Sequence, residues 1–279
     1  MKPAVNGHFQ GAGGPRLFYR YFECPDAPDT LVILHGHGEH SGRYEKFAEK
    51  LKEDRLSIAV YDGRGYGLSE GRDVYVDSFE EFLFDLTEFL NVLKQKHGQK
   101  GKIFLLGHSL GGLVAVHWAL RFPESLKALF LSSPFLGMRL PRPLIWMNTF
   151  LNRLKPDFIY QNPIYPPHLT HNPEEVRNYQ ADRLIKRKIS VRLIHEVLKY
   201  QAKLQGMEQV GFPFPVYMML AGLEKIVDRS CSRAFFQKLQ APRKKVKVFD
   251  GFYHEIFNEL QQEKVFDFLR ECIADARSH

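Results

Sequence analysis

Ile103-Phe104-Leu105-Leu106-Gly107-His108-Ser109-Leu110-Gly111-Gly112 is the stretch of sequence that decides the fold. Its apolar start is typical of a buried β-strand, and the segment 113–121 that follows has helical character. A strand, a tight Gly-x-Ser-x-Gly turn and a helix together hold the serine on a strained turn with its hydroxyl exposed above a sheet. The helix that starts behind Ser109 points its positive end at an anion formed there. We therefore predict that Ser109 is a nucleophile; the alternative is a plain glycine-rich turn.

Length and composition are those of an ordinary globular protein. The chain has 279 residues, of which 44% are hydrophobic and 25% charged, enough for one large domain or a domain with an insertion. No apolar run approaches the roughly 18 residues of a membrane span, and the first residues lack the pattern of a secretory signal. The three cysteines, Cys24, Cys231 and Cys272, are widely spaced and form no metal-ligand pattern. The sequence therefore predicts a cytoplasmic protein.

The positive charge is concentrated in one segment. Residues 136–212 contain twelve Lys or Arg and six Asp or Glu, so they carry nearly all of the net charge of +7. This excess indicates either a solvated helical surface or a face attracted to anionic lipid or acidic substrate. Lys186-Arg187-Lys188 is too short to indicate nucleic acid, and no base-stacking aromatic residues accompany it. A nucleic-acid partner is not expected.

Apolar β-rich runs alternate with amphipathic helical stretches, which predicts a mostly parallel central sheet flanked by helices. The predicted parallel strands are 31–34, 56–61, 103–106, 128–131, 216–221 and 246–249, with an early antiparallel strand at 17–22. The predicted helices in the same part of the chain are 44–54, 78–95, 113–121, 232–239 and 262–274. Ser78 and Glu81 have the spacing of a capping box at the start of the second helix.

The strand pattern is interrupted between residues 136 and 212. This segment has proline-rich turns and helical stretches, one with Asn172 as a cap and another starting at Ser190. Sheet patterning resumes at Pro215. We therefore predict a helical cap or lid at 136–212, inserted into an α/β core formed by 1–135 and 213–279.

A histidine in the last part of the chain fits chemistry at Ser109. His254 follows a β-rich run and precedes a helix, on a loop after the last strand. In the chain order serine, acid, histidine, this is the place of a general base, which takes the serine proton and returns it to the leaving group. We predict this role for His254.

The loop His35-Gly36-His37-Gly38-Glu39-His40 follows an early core strand. A loop at this place supplies one backbone N–H to an oxyanion hole, and the residue after the nucleophile supplies the other. We predict the amides of His37 and Leu110 as these donors. In the alternative, three histidines of the loop bind a metal, but no carboxylate or cysteine is spaced to complete such a site.

Four motifs carry a family resemblance. They are His-Gly-x-Gly-Glu-His-x-Gly-Arg-Tyr (35–44), Tyr-Asp-x-Arg-Gly-x-Gly-x-Ser (61–69), Gly-His-Ser-Leu-Gly-Gly (107–112) and Gly-x-x-His-Glu-x-x-Asn-Glu (251–259). With them, nearly the whole chain resembles the monoacylglycerol lipase and lysophospholipase branch of the α/β-hydrolase fold, which consists of serine hydrolases. The resemblance implies hydrolysis of a fatty-acyl monoester without metal or organic cofactor. It also implies a cap that forms an apolar acyl tunnel and touches the membrane.

The sequence departs from the family at the triad acid. Where the family has Gly-x-x-Asp-x-Ile/Val-Val-Asp, this chain reads Gly-Leu-Glu-Lys-Ile-Val-Asp (222–228). Aligning Ile-Val-Asp places Glu224 at the position of the catalytic aspartate. Glutamate is chemically competent, because the acid orients the imidazole and stabilises its cation. Asp228 is the alternative acid, although the resemblance places it at the start of the next helix.

Substrate contacts are expected from five residues: Gly36, Glu39, Arg43, His108 and Trp146. Gly36 lets the backbone approach the carbonyl closely, while Glu39 and Arg43 shape the polar end of the pocket or simply pair with each other. Trp146 lies in an apolar stretch at 141–151 that faces lipid or packs the cap on the core.

The sequence thus predicts a serine hydrolase that cleaves a lipid-like monoacyl ester through an acyl-enzyme. The alternatives are a lysophospholipase, a small-ester carboxylesterase, and an acyltransferase that shares the first half-reaction. The non-enzyme alternative is a catalytically silent binding or scaffold protein. Acyl-chain length, headgroup preference and oligomeric state stay open.

Overall fold

An eight-stranded β-sheet forms the centre of the molecule. The computed structural model describes residues 4–138, 141–162 and 164–278, apart from the side chain of Arg142. In these ranges the strands are β1 (Val5–Gln10), β2 (Arg16–Phe22), β3 (Asp29–Leu34), β4 (Leu56–Tyr61), β5 (Ile103–His108), β6 (Leu126–Ser132), β7 (Ile159–Gln161), β8 (Lys188–Ser190), β9 (Val210–Gly211), β10 (Val216–Ala221), β11 (Leu239–Gln240) and β12 (Lys244–Phe249). The α-helices are α1 (Glu45–Lys50), α2 (Glu80–His97), α3 (Leu110–Arg121), α4 (Arg142–Leu154), α5 (Pro173–Ala181), α6 (Val191–Gly206), α7 (Arg229–Lys238) and α8 (Glu263–Arg277).

The strand order in the main sheet is β1-β2-β4-β3-β5-β6-β10-β12. Strands β4, β3, β5, β6, β10 and β12 pair in parallel, whereas β1 and β2 join antiparallel at one edge. The predicted mostly parallel sheet is therefore confirmed, including the antiparallel strand at 17–22. The carboxyl ends of the parallel strands meet at one edge of the sheet, and their loops carry the candidate site.

Strand β3 shows how the sheet divides the core. Val32 and Leu34 belong to the face covered by α2 and α3, while Leu31 and Ile33 belong to the face covered by α1 and α8. Successive side chains of a strand point to opposite faces. Because both faces are buried, the parallel strands read as continuous apolar runs, which is why the sequence reveals them.

The predicted boundaries are close to those of the structure. The strands at 56–61 and 216–221 coincide with β4 and β10, and the ends of the five predicted helices differ by at most four residues. Strand β1 was not predicted, because Val5–Gln10 lacks a sustained apolar alternation and only its fifth residue is buried. The expected capping box is wrong: the Ser78 hydroxyl accepts from the Glu80 amide at 3.3 Å, and the Glu81 carboxylate accepts from the Asp77 amide at 3.0 Å.

The described residues between β6 and β10 contain α4, α5 and α6, and Asn172 and Ser190 cap α5 and α6 as predicted. The expectation of a purely helical insertion needs correction. Strands β7 and β8 form an antiparallel ribbon, and β9 pairs with β11. Strands of two or three residues are too short to leave an alternating pattern in the sequence. No helix in the described ranges has the length and apolar character needed to cross a bilayer.

Candidate active site

Ser109 occupies the strained turn between β5 and α3. Its backbone has φ 50° and ψ −117°, a conformation that costs a non-glycine residue about 1–3 kcal/mol and persists only when its surroundings enforce it. A Cβ at Gly107 would lie 2.5 Å from the Gly111 carbonyl oxygen, and one at Gly111 would lie 2.2 Å from the Leu34 carbonyl oxygen. The two glycines therefore let the strand, the turn and the helix pack together, and the first turn of α3 faces the serine.

His254 is paired with Glu224. The imidazole Nδ1–H donates to the Glu224 Oε2 at 2.9 Å, and both side chains are buried. The other carboxylate oxygen, Oε1, accepts from the amides of Ile226 at 2.7 Å and Val227 at 3.3 Å. Glu224 is thus held by its own loop while it reaches the histidine.

The charges of this pair shift both pKa values. Burial lowers the pKa of His254, but the Glu224 carboxylate and, less strongly, Glu255 and Glu39 outweigh burial, so the pKa lies above its ordinary 6.5. Burial raises the pKa of Glu224, yet the charge of His254 and the hydrogen bonds to the carboxylate bring it below its ordinary value. The pair is therefore suited to hold an imidazolium next to a carboxylate, as the acid of a triad must.

Asp228, the alternative acid, has a different environment. Its carboxylate caps α7, accepting from the Ser230 amide at 2.9 Å and the Ser230 hydroxyl at 2.6 Å. Among the hydrogen bonds described for the ring of His254, the carboxylate partner is Glu224.

An apolar cavity of about 240 Å³ begins at Ser109. The core contributes His37, Ser109, Leu110, Phe135, Ile226 and Val227 to its wall; the described residues between β6 and β10 contribute Met138, Tyr160, Asn162, Ile164, Ile189, Leu193, Ile194 and Val197. The cavity therefore lies between the core and the inserted segment, and its wall contains Ser109 and mostly apolar side chains.

His37 and Leu110, whose amides were predicted as oxyanion donors, line this cavity together with Ser109. Neither amide donates to an acceptor among the described residues of the chain. A Cβ at Gly36 would lie 3.2 Å from the Cβ of Ser109, so the loop approaches the nucleophile closely. The role of these two amides as oxyanion donors stays a prediction.

The loop histidines do not converge on one point. The ring of His35 donates to the Gly36 carbonyl and accepts from the Gly63 amide, and the ring of His40 contacts Asp182 and accepts from the Gly42 amide. Within the described ranges no group of three His, Cys, Asp or Glu is arranged to hold a metal ion.

Glu39 and Arg43 form a buried ion network that does not line the cavity. The Arg43 guanidinium pairs with Glu39 and, through two hydrogen bonds of 2.6 and 2.8 Å, with both carboxylate oxygens of Glu255. Glu39 also accepts from the Gly36 amide at 2.8 Å and from the Tyr44 hydroxyl at 3.2 Å. Of the two alternatives for Glu39 and Arg43, the structure shows the pairing with each other, and their network holds the loop that carries His37. Their contact with a substrate stays a prediction.

His108 and Trp146 also lie away from the cavity wall. The His108 Nδ1 is bonded to the Ser132 carbonyl at 3.1 Å, and its ring lies 5.0 Å from that of His254, on the side of the Arg43 network. Trp146 is 72% exposed on α4. Neither residue lines the cavity at Ser109, since His108 is buried and Trp146 faces outward, and their contact with a substrate stays a prediction.

Two residues that bear on the site were missed by the sequence reasoning. Tyr66 bonds the His37 ring, and Glu255 completes the network of Arg43. Both lie inside motifs that the resemblance singled out, at 61–69 and 251–259. Their partners are 29 and 212 residues away in the chain, so spacing could not reveal them.

Comparison with known proteins shows the family of the chain. Residues 25–261 match the Hydrolase_4 family, described as serine aminopeptidase, S33. The chain is 30% identical over 245 residues to phospholipase YtpA of Bacillus subtilis, covering 86% of this chain and 93% of that protein. It is 27% identical over 262 residues to the monoacylglycerol lipase of Mycolicibacterium smegmatis, covering 93% of each. The crystal structure of Paleococcus ferrophilus monoacylglycerol lipase superposes with a TM-score of 0.83 at 28% identity, covering 93% of this chain and 99% of that one.

Proposed function

Because the chain belongs to the Hydrolase_4 (serine aminopeptidase, S33) family and is a monoacylglycerol lipase-like ester hydrolase of the α/β-hydrolase fold, we propose that it cleaves lipid-like monoacyl esters through an acyl-enzyme on Ser109. The proposed substrate is a monoacylglycerol, and the catalytic residues are Ser109, His254 and Glu224. Residues 136–212 would act as a cap over the acyl chain.

In the proposed mechanism the Nε2 of His254 takes the proton of Ser109 as its Oγ attacks the ester carbonyl. The amides of His37 and Leu110 donate to the oxyanion, supported by the positive end of α3. Glu224 keeps the Nδ1 of His254 protonated and stabilises the imidazolium. His254 then protonates the leaving alcohol, and the same base activates a water molecule that hydrolyses the acyl-enzyme.

The observation that carries the substrate class is the apolar cavity. Its wall beyond the serine consists of aliphatic and aromatic side chains with few polar groups, among them Leu193, Ile194 and Val197. Such a wall binds an acyl chain by removing apolar surface from water, about 25 cal/mol for each Å². A charged or strongly polar acyl group would lose its hydration there without gaining partners.

A lysophospholipase is the second candidate, and the 30% identity with a phospholipase favours it. Both substrates present the same ester and acyl chain and differ only in the headgroup. The experiment is therefore to compare hydrolysis of 1-monoacylglycerols, lysophospholipids of matched chain length and short p-nitrophenyl esters, by wild type and Ser109→Ala. Preference for monoacylglycerol that disappears in Ser109→Ala is the expected result. Preference for lysophospholipid would change the substrate and keep the mechanism, and full activity in Ser109→Ala would refute it.

We also propose that α4 contacts the membrane. Trp146, Phe150 and Leu154 are spaced by four residues, which places them in one row along the helix, and they are 72%, 62% and 62% exposed. Met147, beside them, is 53% exposed. Such an exposed apolar row marks a surface for lipid or for another apolar partner, and the net positive charge of 136–212 adds attraction to anionic lipid.

Co-sedimentation with vesicles, with and without anionic lipid, tests this contact. The double variant Trp146→Ser/Phe150→Ser should bind vesicles at least tenfold more weakly, since each exposed aromatic side chain contributes roughly 1.5–3 kcal/mol when buried. Leu260→Ser is the matched control, because Leu260 is 66% exposed outside the inserted segment. Equal vesicle binding by wild type and the double variant would contradict the proposal.

A further inference from the structure

The side chain of His37 forms two hydrogen bonds that the proposed mechanism does not use. Its Nε2 lies 2.9 Å from the carbonyl oxygen of Lys188, the first residue of β8, and its Nδ1 lies 2.8 Å from the Tyr66 hydroxyl. A carbonyl only accepts, so the Nε2 carries the hydrogen and the Nδ1 accepts from Tyr66. The ring therefore connects the loop after β3 with a core tyrosine on one side and with the inserted segment on the other.

This arrangement fixes the ring in one neutral tautomer. Burial lowers the pKa of His37 to about 4, and burial also raises the pKa of Tyr66. Both hydrogen bonds are therefore present across the neutral pH range. Tyr66 is 2% exposed and packs edge-on against the rings of His37 and His35, with ring centroids 5.6 Å apart in each case. The tyrosine is a rigid partner rather than a mobile one.

The loop and the inserted segment contact each other beside this bond as well. The Lys186 amide donates to the Gly38 carbonyl at 2.9 Å, and a Cβ at Gly38 would lie 2.6 Å from the Lys186 carbonyl oxygen. The segment is itself anchored to the core, because the Ser190 hydroxyl donates to the Val74 carbonyl at 2.7 Å. Residues 186–190 are thus a fixed wall against which the loop with His37 is seated.

We propose that His37 is a positioning residue for the oxyanion hole. Its side chain bonds Tyr66 and the Lys188 carbonyl and thereby holds the backbone amide of the same residue in place. The proposal rests on the proposed function, in which that amide donates to the oxyanion. The peptide plane fixes the N–H direction once the residue on either side is fixed. The His35 ring and the Glu39 amide bond the Gly36 carbonyl at 2.7 and 3.3 Å, on the other end of the same peptide unit. The His37 ring fixes the other end of this peptide unit, through its bonds to Tyr66 and to the Lys188 carbonyl in the inserted segment.

The test uses variants that remove the two bonds separately. His37→Leu removes both hydrogen bonds of the ring and replaces it by an apolar side chain of similar length. Tyr66→Phe removes only the hydroxyl. His37→Gln places a terminal amide whose N–H can donate to the Lys188 carbonyl again. Tyr19→Phe is the control, because Tyr19 forms a partly buried tyrosine–histidine hydrogen bond of 3.0 Å with His97 and does not line the cavity.

Steady-state hydrolysis of p-nitrophenyl butyrate gives the readout, with active sites counted by the endpoint of fluorophosphonate labelling. Loss of one oxyanion donor costs about 10²–10³-fold in kcat, so a misplaced donor in His37→Leu should cost about 10–100-fold with KM nearly unchanged. His37→Gln should recover most of the rate, Tyr66→Phe should lie between them, and Tyr19→Phe should retain wild-type kcat. Affinity for a boronic acid, which forms a tetrahedral adduct with the serine, should fall in parallel with kcat/KM.

Wild-type kcat in His37→Leu would overturn the proposal, as would equal losses in His37→Leu and His37→Gln. A lowered thermal midpoint with unchanged kcat per labelled site would assign the ring a purely structural role and overturn it too. These outcomes differ from failure of the proposed function, in which wild type itself would hydrolyse no ester.

Discussion

Replacing Glu224 by Gln should lower kcat by about 10³–10⁴-fold with little change in KM, because the acid of a triad acts on the tautomer of its histidine. In the structure the Oε1 of Glu224 accepts from two amides, those of Ile226 and Val227. A glutamine must therefore keep its oxygen at these amides and turn its NH₂ group toward His254. Two N–H donors cannot face each other, so the imidazole would carry its hydrogen on Nε2 instead of Nδ1. A protonated Nε2 cannot accept the proton of Ser109.

Glu224→Asp separates length from charge. The loop backbone is anchored, since the Gly222 amide donates to the Phe249 carbonyl and the Leu223 amide to the Phe252 carbonyl, both at 2.9 Å. A side chain shorter by one C–C bond, about 1.5 Å, cannot keep the two amides and also reach the 2.9 Å contact with His254. We expect a loss of kcat of about 10–100-fold, smaller than in Glu224→Gln, because the negative charge stays nearby.

The assay is steady-state hydrolysis of a 1-monoacylglycerol, with circular dichroism to compare folding. Asp228→Asn is the matched control, since Asn caps a helix as well as Asp does and the residue lies four positions away in the same loop. Its kcat should stay within about threefold of wild type. Activity of Glu224→Gln within tenfold of wild type, or a greater loss in Asp228→Asn than in Glu224→Gln, would refute the assignment of the acid.

Three further predictions follow from the same geometry. The Glu224 carboxylate outweighs the effect of burial and raises the pKa of His254, so kcat/KM should rise with pH around a midpoint above 6.5. The midpoint should fall in Glu224→Gln, and an unchanged midpoint would contradict this explanation. Arg43→Leu leaves two buried carboxylates without their partner and should reduce the free energy of unfolding in urea by about 3–5 kcal/mol, whereas Lys46→Leu, at an exposed ion pair, should cost at most about 1 kcal/mol. Val197→Phe fills the cavity and should lower kcat/KM for long acyl chains by about 10–100-fold while short p-nitrophenyl esters are little affected; equal losses for both would place the acyl chain elsewhere.

A site residue could be predicted where the pattern that marks it lies in the nearby sequence. The turn at Ser109 and the place of His254 are marked by glycine spacing, a preceding strand and chain order, and the structure brings both residues to the carboxyl edge of the sheet. The choice between Glu224 and Asp228 could not be made from spacing, because both carboxylates lie in one loop. It depended on which of them the fold carries to His254, and on the amides of Ile226 and Val227 that hold Glu224 there.

The surroundings of Glu39, Arg43 and Trp146 depend on contacts that are not local in the chain. Two charged residues of a motif and an aromatic residue of the apolar stretch were expected to contact substrate, but the direction of a side chain is set by its tertiary partners. Glu255, the second partner of Arg43, is 212 residues away in the chain, so the sequence could not show that the guanidinium is fully paired. For Trp146 the apolar stretch left two directions open, toward lipid or onto the core, and in the structure this side chain faces outward.

The pairing of Glu39, Arg43 and Glu255 bears on how a headgroup would be recognised. The Arg43 guanidinium pairs with both carboxylates, and none of the three side chains lines the cavity, so they do not contact the charge of a substrate in it. Besides His37 and Ser109, the polar side chains that line the cavity are those of Tyr160 and Asn162, both in the inserted segment. Discrimination between an uncharged glycerol and a phosphate-bearing headgroup must then arise from the inserted segment and the surface around it, where the positive charge of the chain is concentrated. Exchanges of cationic residues in 136–212 should therefore alter the ratio of lysophospholipid to monoacylglycerol hydrolysis, whereas Glu39 and Arg43 should affect both substrates equally, through the loop that carries His37.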